Sequence, residues 1–466
     1  MTYDLIIRNG TVVDGETTEK AKDIGVKSGK IIDVSDELDP SLASETIDAT
    51  GKWVMPGLID THVHVVREDC TDEGFRMLLR AGVTTAVDFR GPIELLLNNF
   101  KQSQFRPNIA LLNGVYPGNG FKELDVSYKE IENFVEYSLE NGSIGIKVLG
   151  GHFPVTNETL GRAIEVSNKM KSYIAIHCGN TQNGSNIKGF LDAVKMAQGG
   201  RLHIAHVNSY CRGLVYNELE ETKIALENLK ANRNIISESY LSGINGTSGN
   251  IDKDNRPVSH VTRNCLKMKN YDISKKGLEK AILNGDCAVY YKTGDEMVLH
   301  YGQEAVDYWE SVNYKANLCF DVNPVVPRIA CATSKNDKGE FIVTALSTDG
   351  GAIPRNSLLD KGLLLVEFGA LTISDFCLKT SLSPAQMLGL STKGRIKKNF
   401  DADLVVVDKN SRKPIYTIIG GSIAAKGDKL MESKGKLLIL EQGEKNIKRK
   451  GLDYQVIDLQ TSLLYR

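Results

Sequence analysis

The chain of 466 residues carries 57 lysines and arginines against 58 aspartates and glutamates, a net charge of −1 with histidine neutral. That balance, without a long block of like charge, argues against a nucleic-acid partner and a polybasic membrane surface, and the length allows more than one domain. No apolar run reaches the roughly 18 residues of a membrane span. The opening segment lacks the basic region of a signal peptide, and the eight cysteines include no C-x-x-C pair, which fits free thiols in a reducing cytoplasm.

The first fifty residues read as short strands. Leu5-Ile6-Ile7 and Thr11-Val12-Val13-Asp14 flank Asn9-Gly10, which predicts a hairpin. Asp23 to Val26 and Lys30 to Val34 flank a second glycine-containing turn. Near the other end, Ala402 to Asp408 and Ile415 to Ile419 are strand-like again. Residues 1–53 and 391–466 are therefore expected to build one small β-sandwich domain from both chain ends.

Between them the pattern alternates. Apolar runs at 54–59, 84–89, 109–112, 144–149, 173–176, 202–207, 235–237 and 342–347 are separated by amphipathic helical windows, for example 73–80, 128–140, 159–171, 187–198 and 218–232. Eight such strands predict an α/β fold, a (β/α)8 TIM barrel over 54–390. A large insertion at about 240–340, opening on a Gly/Asn/Ser-rich stretch, separates the last two strands and is expected to act as a lid or substrate wall, with an oligomer contact as the alternative.

Six side chains carry the chemistry. His62 and His64, at i and i+2 on a strand, face the same side and can reach one metal ion. Lys147, His177, His206 and Asp349 also stand at or near the ends of apolar runs, and barrel active sites form at the C-terminal ends of strands. His203 competes with His206 but faces the opposite side of its strand and lies farther from the end. Burial of Lys147 in an apolar strand favours the neutral amine. A neutral amine can add carbon dioxide to give an anionic carbamate, whose two oxygens can bridge two metals.

These residues in this order resemble the amidohydrolase superfamily, specifically its binuclear carboxylated-lysine type, which includes dihydroorotases, hydantoinases and dihydropyrimidinases. The stretches Leu5 to Gly10, Val54 to Asp60, Gly394-Arg395-Ile396 and Ala402 to Val405 share the resemblance. It implies two divalent ions, with zinc favoured: His62, His64 and Asp349 on the more buried ion, His177 and His206 on the other, carboxylated Lys147 between them. It also implies hydroxide attack on a C–N amide bond of a small molecule, with Asp349 as general acid and base, and a homo-oligomer.

The substrate class so implied is a cyclic amide, such as a hydantoin-like ring, or an N-acyl amino acid. Dihydroorotases carry an arginine two residues after the second histidine; here Val66 stands there, followed by Arg67 and Glu68. Ser347-Thr348-Asp349-Gly350-Gly351 and the insertion before it are more similar to N-acyl-D-amino-acid deacylases. Arg212, His152 and Asn180 are the expected substrate contacts, with Tyr240 and Lys292 as weaker candidates. A heterocycle deaminase is the enzymatic alternative, though deaminases of the superfamily are usually mononuclear and do not need the lysine. A non-catalytic, dihydropyrimidinase-related scaffold is the other, and such scaffolds have lost ligands that this chain keeps.

Overall fold

The computed structural model describes residues 2–65 and 70–466. Eight strands, β1 (Leu58–His64), β2 (Val83–Asp88), β3 (Asn108–Val115), β4 (Gly145–Leu149), β5 (Tyr173–His177), β6 (Leu202–Ile204), β7 (Ile235–Tyr240) and β8 (Ala345–Ser347), follow one another around a parallel sheet. Directly after β8, Gly350–Gly351 pairs in parallel with Val63 and His64 of β1, and the Asp349 amide donates to the His62 carbonyl at 2.9 Å. These contacts close the barrel. Strands covered on both faces read as nearly continuous apolar runs, and every residue of β3 is buried.

The connecting helices follow from local signals. Tyr128–Glu140 starts on a capping box between Ser127 and Glu130 and buries Ile131, Phe134, Val135 and Leu139 along one face. Replacing Ser127 by alanine would remove the cap at a cost of about 1 kcal/mol.

The apolar run expected as the first barrel strand divides in two. Trp53–Pro56 pairs with Leu404–Val407 in a second sheet, and the barrel strand begins one residue past Gly57. A Cβ on Gly57 would stand 2.1 Å from Thr84 Oγ1, so only glycine lets the chain cross this close to β2. His62 and His64 consequently lie within β1 rather than after it.

The second sheet has nine strands and draws on both ends of the chain. Its path runs Lys429–Leu430, Ser422–Lys426, Pro414–Ile419, Leu404–Val407, Trp53–Pro56, Tyr3–Val13, Thr18–Lys27 and Lys30–Ser35, with Ala43–Asp48 also on Tyr3–Val13. Leu5, Ile7, Val12, Ile24, Val54, Leu404 and Ile418 form its core. Asn9-Gly10 is not the expected hairpin. It is a bulge inside one long strand, where the register against Thr18–Lys27 shifts between Ile7 and Gly10. Asn9 takes φ 59°, which asparagine tolerates, and its amide donates to Asp23 Oδ1 at 2.8 Å. The chain turns later, where Asp14 Oδ1 accepts from the Glu16 and Thr17 amides. Leu437–Ile439 and Tyr454–Val456, which the sequence grouped with the small β unit, extend the barrel sheet beside β3.

The segment between β7 and β8 is a folded unit with its own core. Ile244–Ser248, Asn317–Asp321, Cys287–Thr293 and Glu296–His300 make an antiparallel sheet in that order, packed with helices around Leu266, Leu278, Ile282, Trp309 and Phe320. It reaches the rim of the barrel at several points. Arg80 pairs with Glu296 at 2.6 Å, His260 Nε2 lies 2.7 Å from the Gly151 carbonyl, and Arg212 Nε donates to Asn323 Oδ1 at 2.8 Å. Among the described residues, no helix is long and apolar enough to cross a membrane.

Candidate metal centre

The C-terminal halves of β1, β4 and β5 and the residues just after β6 and β8 bring the six expected side chains together. His62 Nε2 and His64 Nε2 lie 3.3 Å and 3.0 Å from Asp349 Oδ1. The ring of His206 is 5.2 Å from that of His62 and 4.3 Å from that of His177. One ligand atom each from His62, His206 and Asp349 fall within 4.8 Å of one another. His203, by contrast, turns into the barrel, where Nδ1 meets the Tyr173 hydroxyl at 3.0 Å.

Two of these residues carry unusual backbone. His206 and Asp349, each two residues past its strand, adopt φ 35° and 52°. Non-glycine residues rarely occupy that left-handed region, and such strain concentrates at functional sites. The neighbouring chain also gives way: a Cβ on Gly151 would stand 1.8 Å from His177 Nε2, so this glycine leaves room for the ring.

Burial holds His62, His177 and His206 well below the usual imidazole range, so their rings stay neutral and keep a lone pair. Burial also lowers Lys147, against the pull of Glu238 and Asp349. Its Nζ is buried without a hydrogen-bond partner and lies 4.1 Å from the centroid of Phe89. Burial pushes Asp349 up, but the Arg355 guanidinium, His62 and His64 outweigh it and hold the carboxyl well below the usual carboxylate range. Arg355 grips this residue twice, at 2.5 Å to Oδ2 and 2.7 Å to the carbonyl oxygen.

The donor set suits divalent cations. Neutral imidazoles and an anionic carboxylate converge, and Lys147 Nζ, His64 Nδ1 and His206 Nδ1 are buried polar atoms without partners among the described residues, a combination that is costly unless a further group enters.

Three side chains near this centre escaped the sequence reading. Glu238, at 0% exposure in β7, meets His62 Nδ1 at 2.7 Å. The run expected over 235–237 stops one residue short of it; a carboxylate directly after that run, like the histidines at other strand ends, is the available signal. Asp60, raised to about 7 by burial, accepts from Thr348 Oγ1 at 2.5 Å and so ties β1 to the residue before Asp349. Arg355 sits in a turn and has no local signature.

The expected substrate contacts separate. Arg212 flanks the site, its NH2 3.4 Å from the Tyr240 hydroxyl and 2.8 Å from Asn245 Oδ1. Tyr240 is buried beside it, with its ring 6.1 Å from that of His206. His152 is exposed at the rim, edge-on to His177 at 5.8 Å. Asn180 is committed to structural bonds: Nδ2 donates to Asn157 and Asp192 on the two flanking helices, and Oδ1 accepts from the Gln182 and Asn183 amides of its own loop. Lys292 pairs with Glu73. Val66, Arg67 and Glu68 lie outside the described residues.

A profile of the amidohydrolase family matches residues 53–270 and 317–424, more than half of the chain. An uncharacterized protein of Mycobacterium tuberculosis is 40% identical over 89 residues, which are 19% of this chain and 15% of that protein. An allantoinase of Escherichia coli is 22% identical over 491 residues, covering 95% of this chain and 97% of the relative. Among solved structures, the N-acyl-D-glutamate deacylase of Bordetella bronchiseptica, complexed with zinc and a phosphonate inhibitor, superposes with a TM-score of 0.66 at 16% identity, covering 93% of this chain and 100% of that one.

Proposed function

The chain belongs to the amidohydrolase family, and on that premise we propose that it is a metal-dependent hydrolase of a C–N amide bond in a small molecule, a cyclic amide or an N-acyl amino acid. The observation that carries this reading is the convergence of His62, His64, His206 and Asp349 beside the unpartnered Lys147 amine. His62, His64 and Asp349 would hold one divalent ion and His177 and His206 a second, with Lys147, as its carbamate, the residue available to both. When bound, the ions polarise the amide carbonyl and make water acidic enough to attack near neutral pH. Zinc fits these donors, and the Bordetella deacylase was solved with zinc.

Asp349 accepts the proton of the attacking water and returns it to the leaving nitrogen. Arg355 keeps that carboxylate ionised and aimed, with one oxygen toward His62 and His64 and the other in the guanidinium fork. Arg212 and Tyr240, on the side of His206, are placed to receive a substrate carboxylate, which favours amides of amino-acid type. The insertion adjoins this edge through His260 on the Gly151 carbonyl and Asn323 on Arg212, and would serve there as a wall of the substrate site.

The protein acts in the cytoplasm, as its eight buried cysteines, which form no disulfide, suggest. It works as a homo-oligomer; Leu219 on the helix Glu218–Ala231 and Val325, Val326 and Ile329 on the helix Val325–Thr333 packed against it expose apolar surface, as do Leu214 and Tyr216 in the segment just before the first of these helices.

The test is metal content per chain after production with zinc and bicarbonate, followed by a panel of cyclic amides and N-acyl amino acids. About two ions and turnover of one class are expected. A single ion, unchanged in Lys147→Ala, would move the mononuclear deaminase to the front.

A further inference from the structure

We propose that Glu238 is a positioning residue that registers both halves of the metal centre, an inference that rests on the metal-site reading above. Its carboxylate touches three ligand-bearing segments at once. Oε1 accepts from His62 Nδ1 at 2.7 Å and from the His206 backbone amide at 2.8 Å. Oε2 accepts from the Ser347 hydroxyl, two residues before Asp349. A side chain of β7 thereby sets the ring of a β1 histidine, the left-handed turn that presents His206, and the end of β8.

The contact with His62 has a specific consequence. Oε1 is already an acceptor toward the His206 amide, so the imidazole donates through Nδ1 and keeps its lone pair on Nε2, the atom facing Asp349. A carboxylate behind a histidine fixes the tautomer and raises the basicity of the ligating nitrogen. The neutral His62 ring gives Glu238 a hydrogen bond but no balancing charge. A fully buried carboxylate is expensive unless nearby positive charge balances it, and divalent ions held by His62 and His206 would supply that charge.

A purely structural carboxylate would make the same hydrogen bonds but would not govern metal affinity. Glu238→Gln separates the two. Its amide oxygen can accept from His62 and His206 and its NH2 can donate to Ser347, so the geometry survives while the charge goes. Glu238→Ala removes both.

The experiment measures zinc affinity of the full chain by competition with a chromophoric chelator, beside the melting temperature of the metal-free proteins and the 15N shifts of His62. We expect two zinc ions in the parent and zinc affinity weakened roughly 10- to 100-fold in Glu238→Gln, without a lower melting temperature when metal-free. The loss should be larger in Glu238→Ala, with the Nδ1-protonated signature of His62 lost in that variant alone. Zinc affinity within about threefold of the parent in a folded Glu238→Gln would overturn the proposal, whether or not Glu238→Ala folds. A parent that binds no zinc would instead sink the metal-site reading, and this inference with it.

Discussion

Two buried lysines sit at opposite ends of the barrel. Lys147 lies in β4 toward the C-terminal face. Lys379, in the π-helical turn Leu378–Leu382, lies near the N-terminal end of β8 and donates to the Val343 carbonyl at 2.7 Å. Both are fully buried and both stand over a phenylalanine, at 4.1 Å from Phe89 and 4.3 Å from Phe341. Burial lowers the proton affinity of each. They differ in company. Lys379 has a carbonyl partner and lies near Cys331 and Asp375, whereas Lys147 has no hydrogen-bond partner among the described residues and lies among histidines and carboxylates. Burial alone therefore does not mark a reactive amine; an amine left without a partner beside metal-type donors does.

The comparison breaks most sharply on activity. Lys147→Ala should lose hydrolysis by more than about 1,000-fold together with bound metal, while Lys379→Met should stay within about threefold of the parent. Carbon-13 NMR after incubation with labelled bicarbonate should show a carbamate resonance in the parent and in Lys379→Met, absent from Lys147→Ala. A resonance that survives in Lys147→Ala would mean that the wrong lysine has been singled out.

The surroundings of Lys147 come next. Asp349→Asn should cost roughly 100- to 10,000-fold in kcat, the range for a missing general base. Arg355→Met should cost less. Without the guanidinium the Asp349 carboxyl is protonated more readily, so the acid limb of the pH–rate profile should move to higher pH. An unmoved limb would show that Arg355 does not control this proton.

The smallest effect belongs to Lys379. Its proton affinity is lowered to about 7 in the fold, so between there and the unfolded lysine value, about 10.4, the unfolded chain binds the extra proton and stability rises with pH. Below that window the buried charge is a full penalty. Lys379→Met should thus stabilise the protein by about 1–2 kcal/mol near pH 6, after allowing for the Val343 carbonyl left without its donor. The gain should vanish above about pH 10, as urea titrations across that range would reveal.

Much of this was legible along the chain because barrel strands announce themselves as short apolar runs and helices as amphipathic windows. Lys147 and the four histidines with Asp349 stood out because each is a polar residue at or near the end of such a run, and the fold brings those ends together. Glu238 was missed because its meaning lies in partners far away in sequence, at His62 and Ser347. Arg355 was missed for the same reason: a guanidinium in a turn has no periodicity to reveal what it grips. Asn9-Gly10 misled because asparagine and glycine serve a bulge as readily as a hairpin. The glycine-rich start of the insertion concealed a unit with its own core, since its strands pair out of order.

The nine-stranded sheet imposes a timetable on synthesis. Trp53–Pro56 leaves the ribosome early, but its partner Leu404–Val407 emerges roughly 350 residues later. At about 5–20 residues per second, that edge waits on the order of 20 to 70 seconds with unpaired backbone and the apolar face of Val54 open. The nascent chain is thus a natural client for chaperones, and moving the strands from 404–430 ahead of residue 3 by circular permutation should shorten the wait and raise the soluble yield.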